Sequence, residues 1–249
     1  MSSIFQPNAG GEEDDLFLLT AKCESLFSDA LDKLFNEDHV AVKLEYEENN
    51  ETKQIFDKHG SDKCQGFHKY HLVYDKIFQK LKTRNNLNIL EIGLGTDDPT
   101  MASNMSNIYS EQGKPGASLR AFKEMFPSAN IYGADIDKKI LFSEERIQTS
   151  YVDQLDFASF QKMQDNFNCP KYDLILEDGL HSITSSIYTL AFSLESLKNN
   201  GIIILEDLPG NVALWNFISS VLMRQGYYSR YIYANGYIFI ASKDKALVN

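Results

Sequence analysis

The segment Asn88-Ile-Leu-Glu-Ile-Gly-Leu-Gly95 decides the fold class of this 249-residue chain. Its first five residues are mostly apolar, which is typical of a parallel strand that is buried on both faces. Two glycines follow where the strand ends, and they would let the backbone approach a bound ligand closely. The segment therefore predicts the first strand of an α/β sheet with a ligand site at its carboxyl end.

The chain beyond residue 88 alternates short apolar runs with helical patterns. This alternation predicts a parallel sheet that is covered by helices on both faces. The last two apolar runs, Tyr231 to Tyr233 and Tyr237 to Ser242, flank Asn235-Gly236 and predict an antiparallel hairpin. We therefore expect a Rossmann-like, doubly wound α/β fold, with a mainly parallel seven-stranded sheet and a C-terminal antiparallel hairpin.

An acidic helical annex, residues 1–56, is predicted in front of a domain that spans residues 57–249. Apolar residues between Leu16 and Leu34 recur every three or four positions, which predicts a helix with one apolar face. That face could pack on the domain, or against a second copy of the chain, because its nearly heptad spacing also suits a dimer seam. A homo-oligomer is therefore expected.

The net charge of −11 lies mostly near the N-terminus, since residues 1–50 contain 12 acidic side chains and three lysines. An acidic protein is a poor partner for nucleic acids and anionic membranes, because both bind basic surfaces. The sequence has no apolar run of the ~18 residues that a membrane span needs, and its start lacks a signal-peptide pattern. We expect a cytoplasmic protein that does not insert into membranes.

The three cysteines, Cys23, Cys64 and Cys169, lie far apart and form no CxxC motif. Paired spacing of that kind is typical of zinc sites, and disulfide frameworks need several cysteines in a short secreted chain. The cysteines are therefore expected to be reduced thiols.

Polar residues gather where the predicted parallel strands end, and such ends meet at one edge of a sheet. Each acidic residue alone could cap a helix or lie at a solvated strand end, but their order along the fold favours a ligand site. They are Glu91 and Gly93 after strand one, Asp135 after strand two, Asp153 and Gln154 in the third segment, Asp178 and His181 after strand four, and Glu206 and Asp207 after strand five.

The glycine turn does not fit a dinucleotide. Asp98 stands where that fingerprint has its third glycine, no helix begins there, and Asp97 would add to the repulsion of a pyrophosphate. A loop of about twenty residues, Thr96 to Pro115, follows instead. A loop of this length could be an ornamental insertion, but such loops are more often lids or binding loops.

A cofactor that carries positive charge and no phosphate fits these residues better. In S-adenosylmethionine, the methionine and ribose end would lie against Glu91 and Gly93. Asp135 would accept hydrogen bonds from both ribose hydroxyls, and Asp153 would face the adenine amine. The acidic edge thus favours this cofactor over a nicotinamide dinucleotide, which is the alternative.

Asp178, Glu206 and Asp207 would repel one another in a partly buried cleft unless a cation lay between them. A set of oxygen ligands favours Mg²⁺ or Ca²⁺ over zinc. His181 could then take a proton from an acceptor hydroxyl, although a loop histidine could also be a surface or capping residue. Glu177 is expected to point away from Asp178, as neighbours along a strand do.

A set of motifs occurs in order between about residues 57 and 208. Together they resemble class I S-adenosylmethionine-dependent methyltransferases related to the macrocin and mycinamicin sugar O-methyltransferases. The motifs are Gly60-Ser61-Asp62-Lys63 with His68 and Tyr70, Leu90-Glu-Ile-Gly-Leu-Gly95, Gly116-Ala-Ser-Leu-Arg120, Phe126-Pro127, Tyr132-Gly-Ala-Asp-Ile-Asp137, Asp153-Gln154, Asp178-Gly-Leu-His181 and Glu206-Asp207.

The resemblance implies a Rossmann-like methyltransferase fold, with S-adenosylmethionine and Mg²⁺ as its cofactors. It implies a Mg²⁺ ion at Asp178, Glu206 and Asp207, and catalysis by His181 as the base together with Asp178. It also implies that four further residues lie near the cofactor: Ser61, Lys63, Ser118 and Gln154.

The expected function is therefore Mg²⁺-assisted methyl transfer to a hydroxyl of a sugar or similarly polar acceptor. The setting would be natural-product or surface-polysaccharide biosynthesis. A phosphoramidate-type capsule precursor is an alternative acceptor. A partner subunit that binds the cofactor without catalysis is the alternative from a different functional class.

Overall fold

A computed structural model of the chain describes residues 50–64, 68–105, 114–169 and 171–249. The expected helix before residue 35, residues 1–49 of the annex and Cys23 lie outside these ranges. The helices are α1 (Glu51–His59), α2 (His71–Leu81), α3 (Ala117–Met125), α4 (Phe157–Phe167), α5 (Ile183–Ser196), α6 (Val212–Arg224) and α7 (Lys245–Val248). The strands are β1 (Asn88–Ile92), β2 (Asn130–Asp135), β3 (Ser143–Glu144), β4 (Ile147–Tyr151), β5 (Tyr172–Glu177), β6 (Leu197–Leu205), β7 (Tyr228–Tyr233) and β8 (Tyr237–Ser242).

The strands form one mixed sheet in the order β3-β4-β2-β1-β5-β6-β8-β7. Strands β4, β2, β1, β5 and β6 are parallel, and β8 runs antiparallel to both β6 and β7. The predicted doubly wound α/β fold and its C-terminal hairpin are confirmed. The sheet has one strand more than the seven predicted, and the shortest strand is the two-residue edge strand β3.

The order of winding reverses beside β1, which pairs with β2 on one side and with β5 on the other. Ligands in such sheets bind outside the carboxyl ends of the strands at this reversal. The register pairs Ile92 with Ala134 and Glu177, and Glu177 with Leu205. The residues that follow these positions therefore meet at one edge.

Two apolar clusters cover the two faces of the sheet, because successive strand residues point to opposite faces. Ile89 belongs to the cluster beneath α1, α2 and α3, whereas Leu90 and Ile92 belong to the cluster beneath α4, α5 and α6. The strands are buried on both sides, as their continuous apolar runs predicted.

Helix α1 crosses the predicted domain boundary between residues 56 and 57. Phe56 is completely buried, and its ring meets that of Phe122 on α3 edge to face at 5.6 Å. The helix continues to His59, and Gly60 ends it in a left-handed conformation. The folded core begins earlier in the chain than residue 57.

Cys64 and Cys169 are buried free thiols, as predicted. None of the helices in the described part of the chain has the length and apolar character that crossing a bilayer would need.

Candidate active site

A cleft of about 310 Å³ opens at the carboxyl ends of the parallel strands, a size at the lower end of small-molecule sites. Every residue that the sequence placed in the site lines this cleft except Glu206, which is completely buried beneath it. Residues 101–105 of the long loop also line it. The structure thus brings together residues that lie more than 140 positions apart.

Gly93 makes the close approach of two strand ends possible. Its φ of 94° is unfavourable for other residues, and a Cβ atom there would collide with the backbone carbonyl of Asp178. The backbone N–H of Asp178 donates to Ile92 O at 2.8 Å. A side chain at position 93 would therefore push Asp178 away from the cofactor side of the cleft.

Glu91 and Asp135 lie at the predicted cofactor end of the cleft. Glu91 is buried and accepts a hydrogen bond from the Ser118 hydroxyl. Asp135 accepts from the backbone N–H groups of Leu94, at 2.7 Å, and Asp137, at 2.8 Å. Burial raises the pKa of both carboxyl groups above their ordinary values.

Asp153 and Gln154 follow β4 at the same edge. Asp153 accepts from the backbone N–H of Leu155 at 2.9 Å and keeps part of its surface in the cleft. Gln154 Nε2 donates to Glu177 Oε1 at 2.9 Å, and its Oε1 accepts from the Leu180 N–H at 2.8 Å. Gln154 therefore ties β4 to the loop after β5.

Glu177 points away from the cleft, as predicted. The side chain is completely buried and accepts hydrogen bonds from Gln154, from the hydroxyl of Ser186 and from the N–H of Gly179. Burial raises the pKa of this carboxyl group. Its neighbour Asp178 faces the cleft instead.

Asp178, His181 and Asp207 can each present one ligand atom within 4.8 Å of the other two. His181 Nε2 lies 3.9 Å from Asp178 Oδ1. His181 and Asp207 both have left-handed backbones, with φ values of 57° and 48°. Such strained conformations in non-glycine residues concentrate at functional sites, because the surrounding structure must hold them there.

Glu206 lies outside this group of three but adjoins it. Its Oε2 accepts from Lys63 Nζ at 2.8 Å, whereas its buried Oε1 has no hydrogen-bond partner among the described residues. Burial raises the pKa of Glu206 to about 8, against the opposing effect of Lys63. This orphaned oxygen has room for one further partner, and together with Asp178 and Asp207 it forms a set of carboxylate oxygens that is suited to Mg²⁺.

Lys63 contacts three carboxylates: Glu91 at 3.1 Å, Glu206 at 2.8 Å, and Asp178. Burial alone would lower the pKa of this ammonium group, but the three carboxylates raise it well above its ordinary value. Lys63 and His181 in turn outweigh the effect of burial on Asp178 and hold the pKa of that group below its usual range.

Tyr70 and His68 reach Asp207 from the segment before α2. The Tyr70 hydroxyl donates to Asp207 Oδ1, and His68 Nδ1 lies 3.6 Å from the same oxygen. Gly236 leaves room for this contact, since a Cβ atom there would collide with the Tyr70 hydroxyl. Without the resemblance, the residue types Ser61-Asp62-Lys63 indicate only a turn, and His68 indicates only a polar position on a helix. The signal that pointed to this segment was its place in the ordered set of methyltransferase motifs.

No family model matches the chain. Several curated proteins are similar to it over part of its length. One is the 8-demethyl-8-alpha-L-rhamnosyl tetracenomycin-C 2'-O-methyltransferase of Streptomyces olivaceus, with 31% identity over 61% of this chain and 36% of that protein. Another is the demethylmacrocin O-methyltransferase of Streptomyces fradiae, with 29% identity over 54% of this chain and 30% of that protein. The chain spans about a third of the length of these relatives.

Among solved structures, the chain is similar to the MycE methyltransferase from the mycinamycin biosynthetic pathway in complex with Mg and SAH. The TM-score is 0.60 and the identity 20%, over 79% of this chain and 56% of that one. A second MycE structure, which also contains mycinamycin VI, gives a TM-score of 0.59 with 19% identity over 79% of this chain and 55% of that one. The fold is therefore that of a class I S-adenosylmethionine-dependent methyltransferase.

Proposed function

We propose that this chain is an S-adenosylmethionine-dependent, Mg²⁺-assisted O-methyltransferase that acts on a sugar hydroxyl of a natural product. The observation that carries the proposal is the meeting of Asp178, His181 and Asp207 within 4.8 Å beside the cleft that Glu91 and Asp135 line. The sequence similarity to enzymes named as O-methyltransferases of glycosylated natural products supports a sugar acceptor.

The cofactor would lie along the strand ends. Glu91 and Gly93 would adjoin its methionine and ribose end, with Ser61 and Ser118 near them. Asp135 would accept hydrogen bonds from the ribose hydroxyls while it keeps its bonds to the Leu94 and Asp137 N–H groups, because each carboxylate oxygen can accept more than one hydrogen bond. Asp153 would face the adenine amine, and Gln154 would hold the adjoining loop in place.

Asp178, Asp207 and the free Oε1 of Glu206 would hold the Mg²⁺ ion. When bound, the ion would supply positive charge next to the negative charge that develops on the acceptor oxygen. Tyr70 would orient Asp207 by its hydrogen bond, and Lys63 would hold Asp178 and Glu206.

His181 would accept the proton of the acceptor hydroxyl at Nε2. When bound, S-adenosylmethionine would supply the methyl group to the acceptor oxygen, with a C–O bond formed as the C–S bond breaks and S-adenosylhomocysteine as the leaving group. Asp178 Oδ1, 3.9 Å from His181 Nε2, would stabilise the imidazolium that results. Most of the rate enhancement would come from the alignment of oxygen, methyl carbon and sulfur.

The test is methyl transfer from labelled S-adenosylmethionine to a panel of glycosylated acceptors, with and without a chelator of divalent ions. We expect the His181→Ala variant to lose about 10²- to 10⁴-fold in turnover while it still binds S-adenosylhomocysteine, because it lacks only the base. Turnover that survives both the chelator and the substitution would contradict the mechanism.

A non-catalytic subunit that retains only a cofactor site would have no use for the strained His181 and Asp207 beside Asp178. This arrangement favours catalysis over the binding-only alternative. We further propose that the enzyme acts in the cytoplasm and forms a homo-oligomer. Light scattering, which measures the mass of the particle in solution, tests the oligomeric state directly.

A further inference from the structure

We propose that Lys63 is a positioning residue that links the cofactor half of the site to its metal half, and that it does not itself bind the cofactor. The inference rests on the proposed function, because it assigns Glu91 to the cofactor and Asp178 and Glu206 to the metal. Lys63 is 2% exposed and contacts all three carboxylates.

Lys63 donates hydrogen bonds to Asp178 and Glu206, and its ammonium nitrogen lies 3.1 Å from Glu91 Oε1 in an ion pair. An ammonium group has three N–H donors and no acceptor. These donors match three carboxylates at the ends of three adjacent strands, since β5 pairs with both β1 and β6. A bound cofactor would therefore have to compete with three carboxylates for this ammonium group.

Each carboxylate meets Lys63 through one oxygen and directs the other elsewhere. Glu91 Oε2 accepts from Ser118, Asp178 Oδ1 faces His181, and Glu206 Oε1 is the orphaned atom. Lys63 thus fixes the direction in which three site residues present their second oxygen. Loss of such supporting partners typically costs 10- to 100-fold in metal affinity or activity.

The backbone around Lys63 is anchored on both sides. Lys63 lies on the 3₁₀ turn Asp62–Cys64, directly after α1. The N–H of Ser61 donates to Phe56 O at 3.0 Å, and the N–H of Tyr70 donates to Lys63 O at 3.3 Å. Phe56 belongs to the apolar core, so the backbone that carries the Lys63 side chain is anchored to the core near the strand ends.

If Lys63 acted only through its positive charge, its removal would change the affinity for a divalent ion in the opposite direction. Lys63 and the three carboxylates, all ionised, leave two negative charges, and removal of the lysine would leave three. A residue that acted only by its charge would therefore weaken the binding of a divalent ion. Its removal would then tighten that binding, whereas removal of a positioning residue loosens it.

The experiment measures Mn²⁺ binding by electron paramagnetic resonance and S-adenosylhomocysteine binding by calorimetry, in the full chain. We expect Lys63→Met to lower the affinity for Mn²⁺ 10- to 100-fold and the affinity for S-adenosylhomocysteine about tenfold. Lys53→Met is the control, because Lys53 pairs with Asp57 at 2.5 Å on α1 and does not line the cleft. Its affinities should equal those of the unaltered protein.

Lys63→Arg covers the case in which three unpaired carboxylates prevent Lys63→Met from folding. It keeps the charge but replaces a point donor by a planar fork, so we expect weakened Mn²⁺ binding here too. Tighter Mn²⁺ binding in Lys63→Met, or unchanged affinities in Lys63→Arg, would overturn the inference.

Failure of the proposed function would look different. If the unaltered protein bound S-adenosylhomocysteine but no Mn²⁺, the metal assignment would fall, and the cofactor affinity of the Lys63 variants would decide the inference. If it bound neither, the proposed function and the inference would fall together.

Discussion

Glu177 and Glu206 are two completely buried carboxyl groups at the ends of the adjacent strands β5 and β6, yet their surroundings differ. Glu177 is surrounded by neutral donors that occupy both of its oxygens: Gln154, Gly179 and Ser186. Glu206 meets the ammonium group of Lys63 with one oxygen and leaves the other without a partner. The first carboxyl group therefore supports a loop, whereas the second is suited to bind a ligand.

This difference is informative because both carboxyl groups are completely buried, although Glu177 is the last residue of β5 and Glu206 lies one residue beyond the end of β6. Burial raises the pKa of each. The partners of the two carboxyl groups distinguish them, since buried polar atoms in native proteins are normally satisfied. Glu206 Oε1 is one of several buried atoms without a partner among the described residues, and its place beside a lysine and two further carboxylates favours a cation.

The largest expected effect is a loss of methyl transfer when glutamine replaces Glu206, compared with the same substitution at Glu177. Glu206→Gln removes a proposed ligand of Mg²⁺, and we expect methyl transfer to fall about 100-fold or more. Glu177→Gln is the matched control and should keep its Mg²⁺ dependence within about twofold, because it faces away from the cleft. Steady-state rates over a Mg²⁺ titration measure both. Equal losses in the two variants would abolish the distinction.

A change in stability is expected when the neutral donors around Glu177 lose their acceptor. Glu177→Leu would leave the Gln154 amide and the Gly179 N–H without a hydrogen-bond acceptor. We therefore expect the free energy of unfolding to fall by about 1 to 3 kcal/mol. Unfolding by urea measures the change, and Glu177→Gln should lose less because its carbonyl oxygen can still accept. A Leu variant as stable as the unaltered protein would show that these hydrogen bonds contribute little.

The smallest expected effect is a pH dependence of stability from Glu177. Burial raises its pKa above the ordinary value of 4.5, so between that value and the raised one the folded state binds more protons than the unfolded state. Stability from this group therefore falls as pH rises through that window. Relative to Glu177→Gln, the unaltered protein should gain stability when the pH is lowered from 7 to 5. Urea unfolding at both pH values checks the sign, and a relative loss would contradict it.

Much of the fold could be predicted because the central strands are continuous apolar runs, as in Asn88 to Ile92. Strand β4 was harder to predict, since Ile147-Gln-Thr-Ser-Tyr151 lies towards the edge and is largely polar. Helix α1 was missed because its nine residues are mostly polar and it packs through Thr52 and Phe56. Short elements that pack through few side chains leave a weak periodic signal.

The acidic edge of the site could be predicted because parallel strand ends must meet. The role of Lys63 could not, since it lies 115 residues before Asp178 and 143 before Glu206. No local spacing connects such positions, and a lysine in a polar turn resembles any exposed lysine. Only the three-dimensional arrangement distinguishes a buried link between carboxylates from a solvated side chain.

The central claim is that Asp178, Glu206 and Asp207 hold a divalent ion beside the cofactor. Crystals grown with S-adenosylhomocysteine and Mn²⁺ test it most directly, because Mn²⁺ gives an anomalous signal that locates the ion. We predict one strong peak within coordination distance of Asp178, Asp207 and Glu206 Oε1, with S-adenosylhomocysteine along Glu91 and Asp135. A cofactor-bound structure without that peak, or with the ion elsewhere, would contradict the account.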